Sequence, residues 1–584
     1  MIGLVRAVGF FRLARNSVRR QPERAPAAYD IVVFLPKAPA SHAPLSNRPD
    51  PNRLSFRPPD PASQGIAARP TIAGSRPRRR DAASCIVEGY ALSASSSTPR
   101  DADDALARRY DDVPYTSSPD PARHPDRLAT IGTLFGLDVA PVETARVLEV
   151  ACGDGANLVS IAATLPNARC IGFDFAAQPI ARARQMAGAL ALSNVDFLEC
   201  DLRNLPADLG TFDYILAHGF YSWVPTDVRA QLMPRIAMHL ARNGVAFVSF
   251  NALPGSHLRA LAWDMLGYHT SGIADRREQI AAARALLELA GAPAEGDDAL
   301  MQALRAELRK TAQSSDSSLA HDDLAPFNHA VHFHAFAADA ERAGLAFVAD
   351  AHLSTMTDAG LAPAARQMLA GLDRTRREQY RDFLRFRHYR ESLLCHSGAM
   401  SRFEIDASRA LRLRAVPSLD TRRAAAARAS ATHPDADVAA ITQVLLARWP
   451  HSIPVAELAR VCAAAPPHGV GRSIARPIEA LVTQMHAADL LDLRSTAPAV
   501  AEVAGIRPKA FAPARWMARE RNVVPSVYHE ALRFPDAAAR RMLALLDGAR
   551  TRAELCASLG APFNTPERLD QALAILATKA LLLA

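Results

Sequence analysis

Residues 146–157, RVLEVACGDGAN, constrain the fold more than any other stretch of the chain. Val147, Leu148 and Val150 surround an acid, Glu149, and run into the turn Gly153-Asp154-Gly155, after which the apolar helical pattern LVSIAATL begins. Strand, tight turn and helix in that order form the first unit of a nucleotide-binding α/β sheet. The glycines let the backbone approach a ligand where a Cβ would clash. A dinucleotide site needs a third glycine and favours phosphate at the helix N-terminus. Here Asp154 sits inside the turn, which repels phosphate and suits a cationic ligand.

Two further acids follow at strand-length intervals. The run CIGFDFA closes on Asp174, and VDFLECDLRNLP ends its apolar stretch at Asp201. FDYILAHG (212–219) and GVAFVSFNALPG (244–255) supply a fourth and a fifth strand, and PIARARQMAGALAL and VRAQLMPRIAMHLA carry helical periodicity between them. The alternation predicts an α/β, Rossmann-like open parallel sheet with its ligand across the carboxyl ends of the strands. Asp174 is placed to accept both ribose hydroxyls and Asp201 an adenine amine. Glu149, Gly153, Asp154, Gly155 and Asn157 surround the remaining, positively charged part. S-adenosylmethionine, with a sulfonium and a free amine, fits these requirements.

The lead-in YDDVPYTSSPDPARHPDRLATIGTLFGL (110–137), the loop AHGFYSWVP (217–225) and the segment SFNALPGSHLRALAWDMLGYH (249–269) carry a resemblance. From about Tyr110 to its end, the chain resembles bacterial class I methyltransferases that carry a methyltransferase regulatory domain. That family includes protein lysine methyltransferases acting on outer-membrane proteins. One position departs from the family pattern: Ala151 stands where a glycine is usual, and its methyl group narrows the turn. The resemblance implies S-adenosylmethionine as cofactor, a lysine acceptor on a protein substrate, and a mostly helical regulatory domain near the active-site mouth. Two other readings stay open: an N- or O-methyltransferase of small molecules, and a cofactor-sensing interaction protein with little catalysis.

The chain has 584 residues, so several domains are expected. Its net charge of +8 suggests nucleic acid until the charge is located. Residues 1–100 hold 16 Lys and Arg against 6 Asp and Glu, whereas the other 484 residues hold 52 against 54. The pI therefore gives no argument for nucleic-acid binding. No apolar run is long enough to span a bilayer. Seven cysteines without a C-x-x-C pair argue against a disulfide framework or a zinc site, and point to the cytoplasm.

The expected organisation has five parts. Residues 1–100, with 13 of the 41 prolines, read as disordered. After Met1 the next methionine is Met186, so a later start near Val87 or Leu92 would need a non-ATG codon. Residues 101–271 form the methyltransferase domain, 272–360 the regulatory domain, and 361–424 a helical connector. Residues 425–584 read as two winged-helix-like α+β modules, removable without loss of cofactor binding. Their charge, 17 basic against 14 acidic residues over 430–584, favours protein contact over DNA. Oligomeric state is not legible.

On the acceptor side, His218 follows the fourth strand directly, and Tyr221 and Trp223 lie just beyond it. These three are the candidate catalytic residues, with His218 also reaching the cofactor. Aromatic walls exclude water and hold an amine by cation–π attraction, although Tyr221 and Trp223 could equally pack under the next helix. Tyr115 and His124 could close over the cofactor or serve as a structural lid. His321, His329, His332 and His334, with Asp322 and Asp323, match no standard zinc spacing, so no metal is expected.

Overall fold

The computed structural model describes residues 29–30, 109–110, 112–400, 403–427, 433–464, 474–534 and 536–584. The segment read as disordered, 1–100, lies outside them except for a two-residue strand, Tyr29–Asp30, paired in parallel with Ala531–Arg533.

Seven strands form the central sheet: β1 (Arg146–Val150), β2 (Arg169–Asp174), β3 (Val195–Glu199), β4 (Phe212–Ala217), β5 (Leu240–Asn251), β6 (Leu345–Asp350) and β7 (Tyr389–His396). Their order is β3-β2-β1-β4-β5-β7-β6, with β7 antiparallel to both neighbours and the other pairings parallel. The first five strands lie where the sequence pattern places them. The last two come from regions expected to be mostly helical. The stretch 361–424 does contain helices α9 (Pro363–Ala370) and α10 (Arg374–Arg385), but β7 follows them and lies between β5 and β6.

Alternation within the strands explains the layers. Val147, Tyr214, Leu216, Val245 and Phe247 enter one core, while Leu148, Val150, Ile215, Ala217, Ala246 and Val248 enter the other. Both faces are dry, as a crossover-connected sheet requires. Helix α1 (Pro125–Leu134) starts with proline at its first position and an acid, Asp126, in its first turn. Helices α2 (Ala156–Thr164), α3 (Ala177–Ala189) and α4 (Thr226–His239) are the crossovers; α3 buries Ile180, Ala183, Met186 and Ala187 along one stripe. Helices α5 (Ser256–His269), α6 (Arg276–Gly291) and α7 (Ala299–Ala312) build a separate small core around Leu266, Leu287 and Leu308. Helix α8 (Phe333–Arg342) covers the sheet with Phe333 and Phe336.

A buried charge cluster fixes the late strands. Arg390 on β7, fully buried, bonds Asp350 of β6 and Glu378 and Asp382 of α10, with Arg387 sharing Asp350 and Asp382. Such a cluster is tolerated inside a protein because each charge is paired and hydrogen-bonded.

Two α+β modules follow. In the first, strands Arg414–Pro417, Ile453–Pro454 and Leu491–Arg494 form a small antiparallel sheet with helices Ala436–Arg448, Val455–Ala464 and Ile478–Ala487. In the second, a hairpin of Val523–Pro525 and Ala531–Arg533 joins helices Ala512–Met517, Ala537–Leu545, Arg552–Leu559 and Pro566–Thr578. Their apolar residues, among them Phe511, Leu543 and Leu573, share one continuous core with Leu128, Ile131 and Ile161 of the nucleotide-binding domain. The modules are therefore part of the main body rather than appendages.

Candidate functional site

The parallel register brings three strand ends together: Glu149 lies opposite Gly172, and Asp174 opposite Glu199. Between β1 and α2 the backbone turns through three left-handed residues, Ala151 (φ 52°), Gly153 (φ 54°) and Gly155 (φ 72°). The glycines do different work. A Cβ on Gly153 would meet no protein atom within 4 Å, so this residue faces open space. A Cβ on Gly155 would stand 2.7 Å from Ala183 Cβ and 2.8 Å from Phe197 Cζ, so this glycine serves helix–sheet packing rather than ligand approach.

Glu149 is 5% exposed. Its Oε1 accepts from Asn157 Nδ2 at 2.7 Å, while Oε2 is buried without a partner. Burial pushes its carboxyl up to about 7, against the pull of Arg123 and Asn157. Asp174 accepts from the Gly153 and Ala176 backbone N–H groups, each at 3.0 Å, and burial raises its pKa. Asp201 lies just past β3, but its oxygens are held by Arg203, at 2.7 Å from the backbone N and 2.8 Å from the guanidinium. Burial works against ionisation there, and the Arg203 contacts outweigh it, leaving a lowered pKa.

The structure gives Asp154 a part that differs from the expected one beside the methionine moiety. Its Oδ1 accepts from Ser117 Oγ at 2.8 Å and its Oδ2 pairs with Arg521 at 2.7 Å. Asn157 likewise faces protein, with Oδ1 2.8 Å from His529 Nε2. Both side chains tie the turn to other segments. The lead-in lies beside it: Arg123 is 4% exposed, with a buried Nε lacking a partner, and electrostatically close to Glu149, His218, Tyr115 and Tyr389. His124 caps α1 through Nδ1 and reaches Thr164 with Nε2 at 3.1 Å, a structural role.

On the acceptor side, His218 Nδ1 lies 3.2 Å from Ser249 Oγ and 3.4 Å from Tyr389 OH. Burial, aided by Arg123, holds its pKa well below the ordinary histidine value, so the ring is neutral. The two hydroxyls, each able to donate or accept, fix the orientation of the ring. Trp223 keeps a buried indole N–H with no partner. Of the two readings open for Tyr221, amine wall or packing under a helix, its surroundings match the second. It is 1% exposed, its hydroxyl bonds Asp339 of α8, and its ring packs on Phe250 and Phe336 at 5.9 and 5.4 Å. Its turn directs the ring under α8, into the core.

Sequence reasoning passed over Tyr389, Ser249, Arg123, Arg521 and His529. Tyr389 sits on β7, whose entry into the sheet was not foreseen; Ser249 lay in a strand read only for its apolar residues. Among the four histidines weighed as metal ligands, His321 stacks on Tyr110 at 4.6 Å and contacts the Val113 carbonyl, while His332 and His334 stack at 5.4 Å. Among the described residues no cluster of His, Cys, Asp or Glu could hold a metal ion. No described helix is long and apolar enough to cross a membrane.

Known proteins match this arrangement. Residues 147–244 match a family model described as "methyltransferase domain", 315–396 one described as "predicted methyltransferase regulatory domain", and 507–580 one described as "PKMT, C-terminal winged helix domain". The uncharacterized protein RP028 of Rickettsia prowazekii is 31% identical over 234 residues, which cover 40% of this chain and 94% of RP028. The chain belongs to the class I methyltransferases that carry a regulatory domain. RP789 of the same organism is 37% identical over 290 residues, or 49% of this chain; the match spans only about half, 52%, of that relative. The structure of PKMT2 from Rickettsia typhi superposes with a TM-score of 0.69 at 23% identity, over 81% of this chain and 100% of that one. Its complex with AdoHcy gives 0.67 at 22% identity over the same shares. These two likenesses are likenesses of fold. The regulatory-domain match of this methyltransferase contains both β6 and β7.

Its cofactor site meets a specific demand. Glu149 Oε2 is a buried acceptor lacking a donor, beside a turn whose Gly153 faces open space. A cationic amine supplies that donor, and Asp174 at the next strand tip suits vicinal hydroxyls. The residues present fit S-adenosylmethionine.

Proposed function

We propose that this chain is an S-adenosylmethionine-dependent methyltransferase whose acceptor is a lysine amine on a protein. The observation that carries the reading is the second C-terminal module, matched to the PKMT winged-helix model, packed directly on the cofactor turn through Arg521 and His529. A small acceptor needs no such module beside its site. Glu149, Asp174 and Arg123 would hold the cofactor's amine, ribose and carboxylate; Asp201, with Arg203 on it, would border the adenine.

When bound, S-adenosylmethionine supplies a methyl group already activated by the sulfonium. The protein's part is alignment, exclusion of water and removal of a proton from the acceptor. A lysine amine, with a reference pKa of about 10.4, is protonated at neutral pH. His218 is a poor base because burial holds it neutral even in acid, and Tyr221 is committed to Asp339. Asp322 is the better candidate. Burial pushes its carboxyl up to about 7 despite Arg259, and Tyr110 and Tyr115 are its electrostatic neighbours. Tyr110 also meets Phe175, next to Asp174, at 5.9 Å, which links this acidic, aromatic patch to the cofactor side. The His218 ring, Tyr389 and the Trp223 indole would order the acceptor. Six described cysteines are free, in keeping with a reducing cytoplasm.

The deciding experiment incubates the full chain with methyl-labelled cofactor and bacterial lysate, then hydrolyses the protein fraction and identifies the labelled amino acid. Methyl-lysine supports the proposal. Label confined to small molecules or to carboxylates defeats the lysine acceptor while leaving methyl transfer standing.

A further inference from the structure

The glycine turn of the cofactor site is completed by residues more than 360 positions away. Arg521 pairs with Asp154 at 2.7 Å, and Asp154 is 1% exposed. Its other contacts are the Ser117 hydroxyl and the Ala156 backbone N–H, both neutral. Without Arg521 this buried anion would lose its one ion-pair partner among the described residues, a loss that a folded protein relieves by moving or protonating the group.

His529 acts on a different atom. Its ring is fully buried and held neutral, by burial first and then by His124 and Arg123. Nδ1 has no partner and Nε2 lies 2.8 Å from Asn157 Oδ1, so the proton belongs on Nε2, which donates. That donation fixes the Asn157 amide. A flipped amide would set its NH2 against the histidine N–H and its oxygen against Glu149. Held as it is, Asn157 Nδ2 donates to Glu149 Oε1 and leaves Oε2 open. The His124 ring packs on His529 at 5.2 Å and limits its rotation.

We infer that Arg521 and His529 are positioning residues of the cofactor site, acting through Asp154 on the glycine turn and through Asn157 on the Glu149 carboxylate. Cofactor affinity is then a property of the docked C-terminal module, and by linkage anything that moves the module changes that affinity. The inference rests on the cofactor reading above.

Calorimetric titration of the full chain with S-adenosylhomocysteine reads both Kd and the fraction of competent sites. Arg521→Ala and His529→Ala should each raise Kd about tenfold or more, the scale of one lost buried or charge-assisted hydrogen bond, at unchanged stoichiometry. Arg521→Lys and His529→Gln, which can donate to the same oxygens, should recover most of the loss. An unchanged Kd overturns the inference, and a reduced stoichiometry at that Kd would identify the residues as mere supports of the fold. Equal weakening in the Lys and Gln variants also overturns it. Failure of the wild-type chain to bind S-adenosylhomocysteine would remove the cofactor reading itself, whereas wild-type binding with indifferent variants removes this inference alone.

Discussion

Arg521 and Asp154, 367 residues apart in the chain, meet at 2.7 Å with both side chains largely withdrawn from solvent. The sequence pattern suggested that residues 425–584 could be removed with cofactor binding intact. This ion pair, the His529–Asn157 bond and the continuous apolar core tie the second module to the turn instead, so its removal is expected to weaken cofactor binding.

Asp174→Ala is expected to weaken S-adenosylhomocysteine binding by about 1–3 kcal/mol, through loss of charge-assisted hydrogen bonds to ribose. The same change frees the Gly153 N–H that Asp174 now accepts. Calorimetry at neutral pH measures the difference, and an affinity equal to wild type would take the ribose away from Asp174.

Glu149 makes cofactor binding depend on pH. Its carboxyl is raised from 4.5 to about 7, so below 7 the site is mostly neutral and attracts a cation weakly. Affinity for S-adenosylhomocysteine should climb between pH 5.5 and 7, by up to about tenfold per unit, and then level off. Glu149→Gln should flatten the climb. For the unliganded fold the sign is opposite. A raised acid stabilises below its unfolded value of 4.5, and that contribution is lost as pH rises to about 7. Thermal melts of wild type and Glu149→Gln across this window separate the two effects.

Ala151 adopts φ 52°, a conformation that costs a residue with a Cβ about 1–2 kcal/mol. Ala151→Gly removes this backbone strain but adds freedom to the unfolded chain, so a net gain of about 1 kcal/mol or less is expected. Denaturant titration detects it. A loss of stability would show that the methyl group makes compensating contacts.

Tyr221 and Tyr389 should part company. Tyr221→Phe removes the bond to Asp339 in the core and should cost about 1–2 kcal/mol of stability, with transfer falling only as the folded fraction falls. Tyr389→Phe removes the hydroxyl beside His218 and should slow transfer without changing cofactor Kd. Single-turnover rates, taken with melting curves, distinguish them; equal behaviour would defeat the assignment of Tyr389 to the site.

Arg390→Ala should cost about 3–5 kcal/mol, because Asp350, Glu378 and Asp382 would be left buried with too few cations. Urea unfolding is the measurement. A cost under about 1 kcal/mol would mean that water enters the cluster and solvates the carboxylates.

Legibility in the sequence followed the range of the contacts. The strand ends beside Glu149, Asp174 and Asp201 could be read because each acid stands at or near the close of an apolar run of strand length, a purely local signal. The sequence puts Tyr221 on the right loop but leaves open whether its ring faces ligand or core, since one turn decides between them. FVAD and ESLLCH were missed as sheet strands because helices precede them and their pairing is non-local. Arg521 and His529 carry no local mark at all: their roles exist only in the folded chain.

The order of the sheet sets a timetable for synthesis. Strand β6 leaves the ribosome before β7, its sole neighbour in the sheet among the described residues, so it waits for that partner until residue 396 has emerged. The glycine turn waits longer. At about 5–20 residues per second, the 367 residues from Asp154 to Arg521 take roughly 20–70 s to translate. Through that interval the nascent chain displays an acidic turn without its Arg521 partner and the apolar residues of α1 and α2 that the C-terminal modules cover in the finished fold. The cofactor turn is thus among the last parts of the molecule to be completed, although its own residues are among the first of the domain to be made.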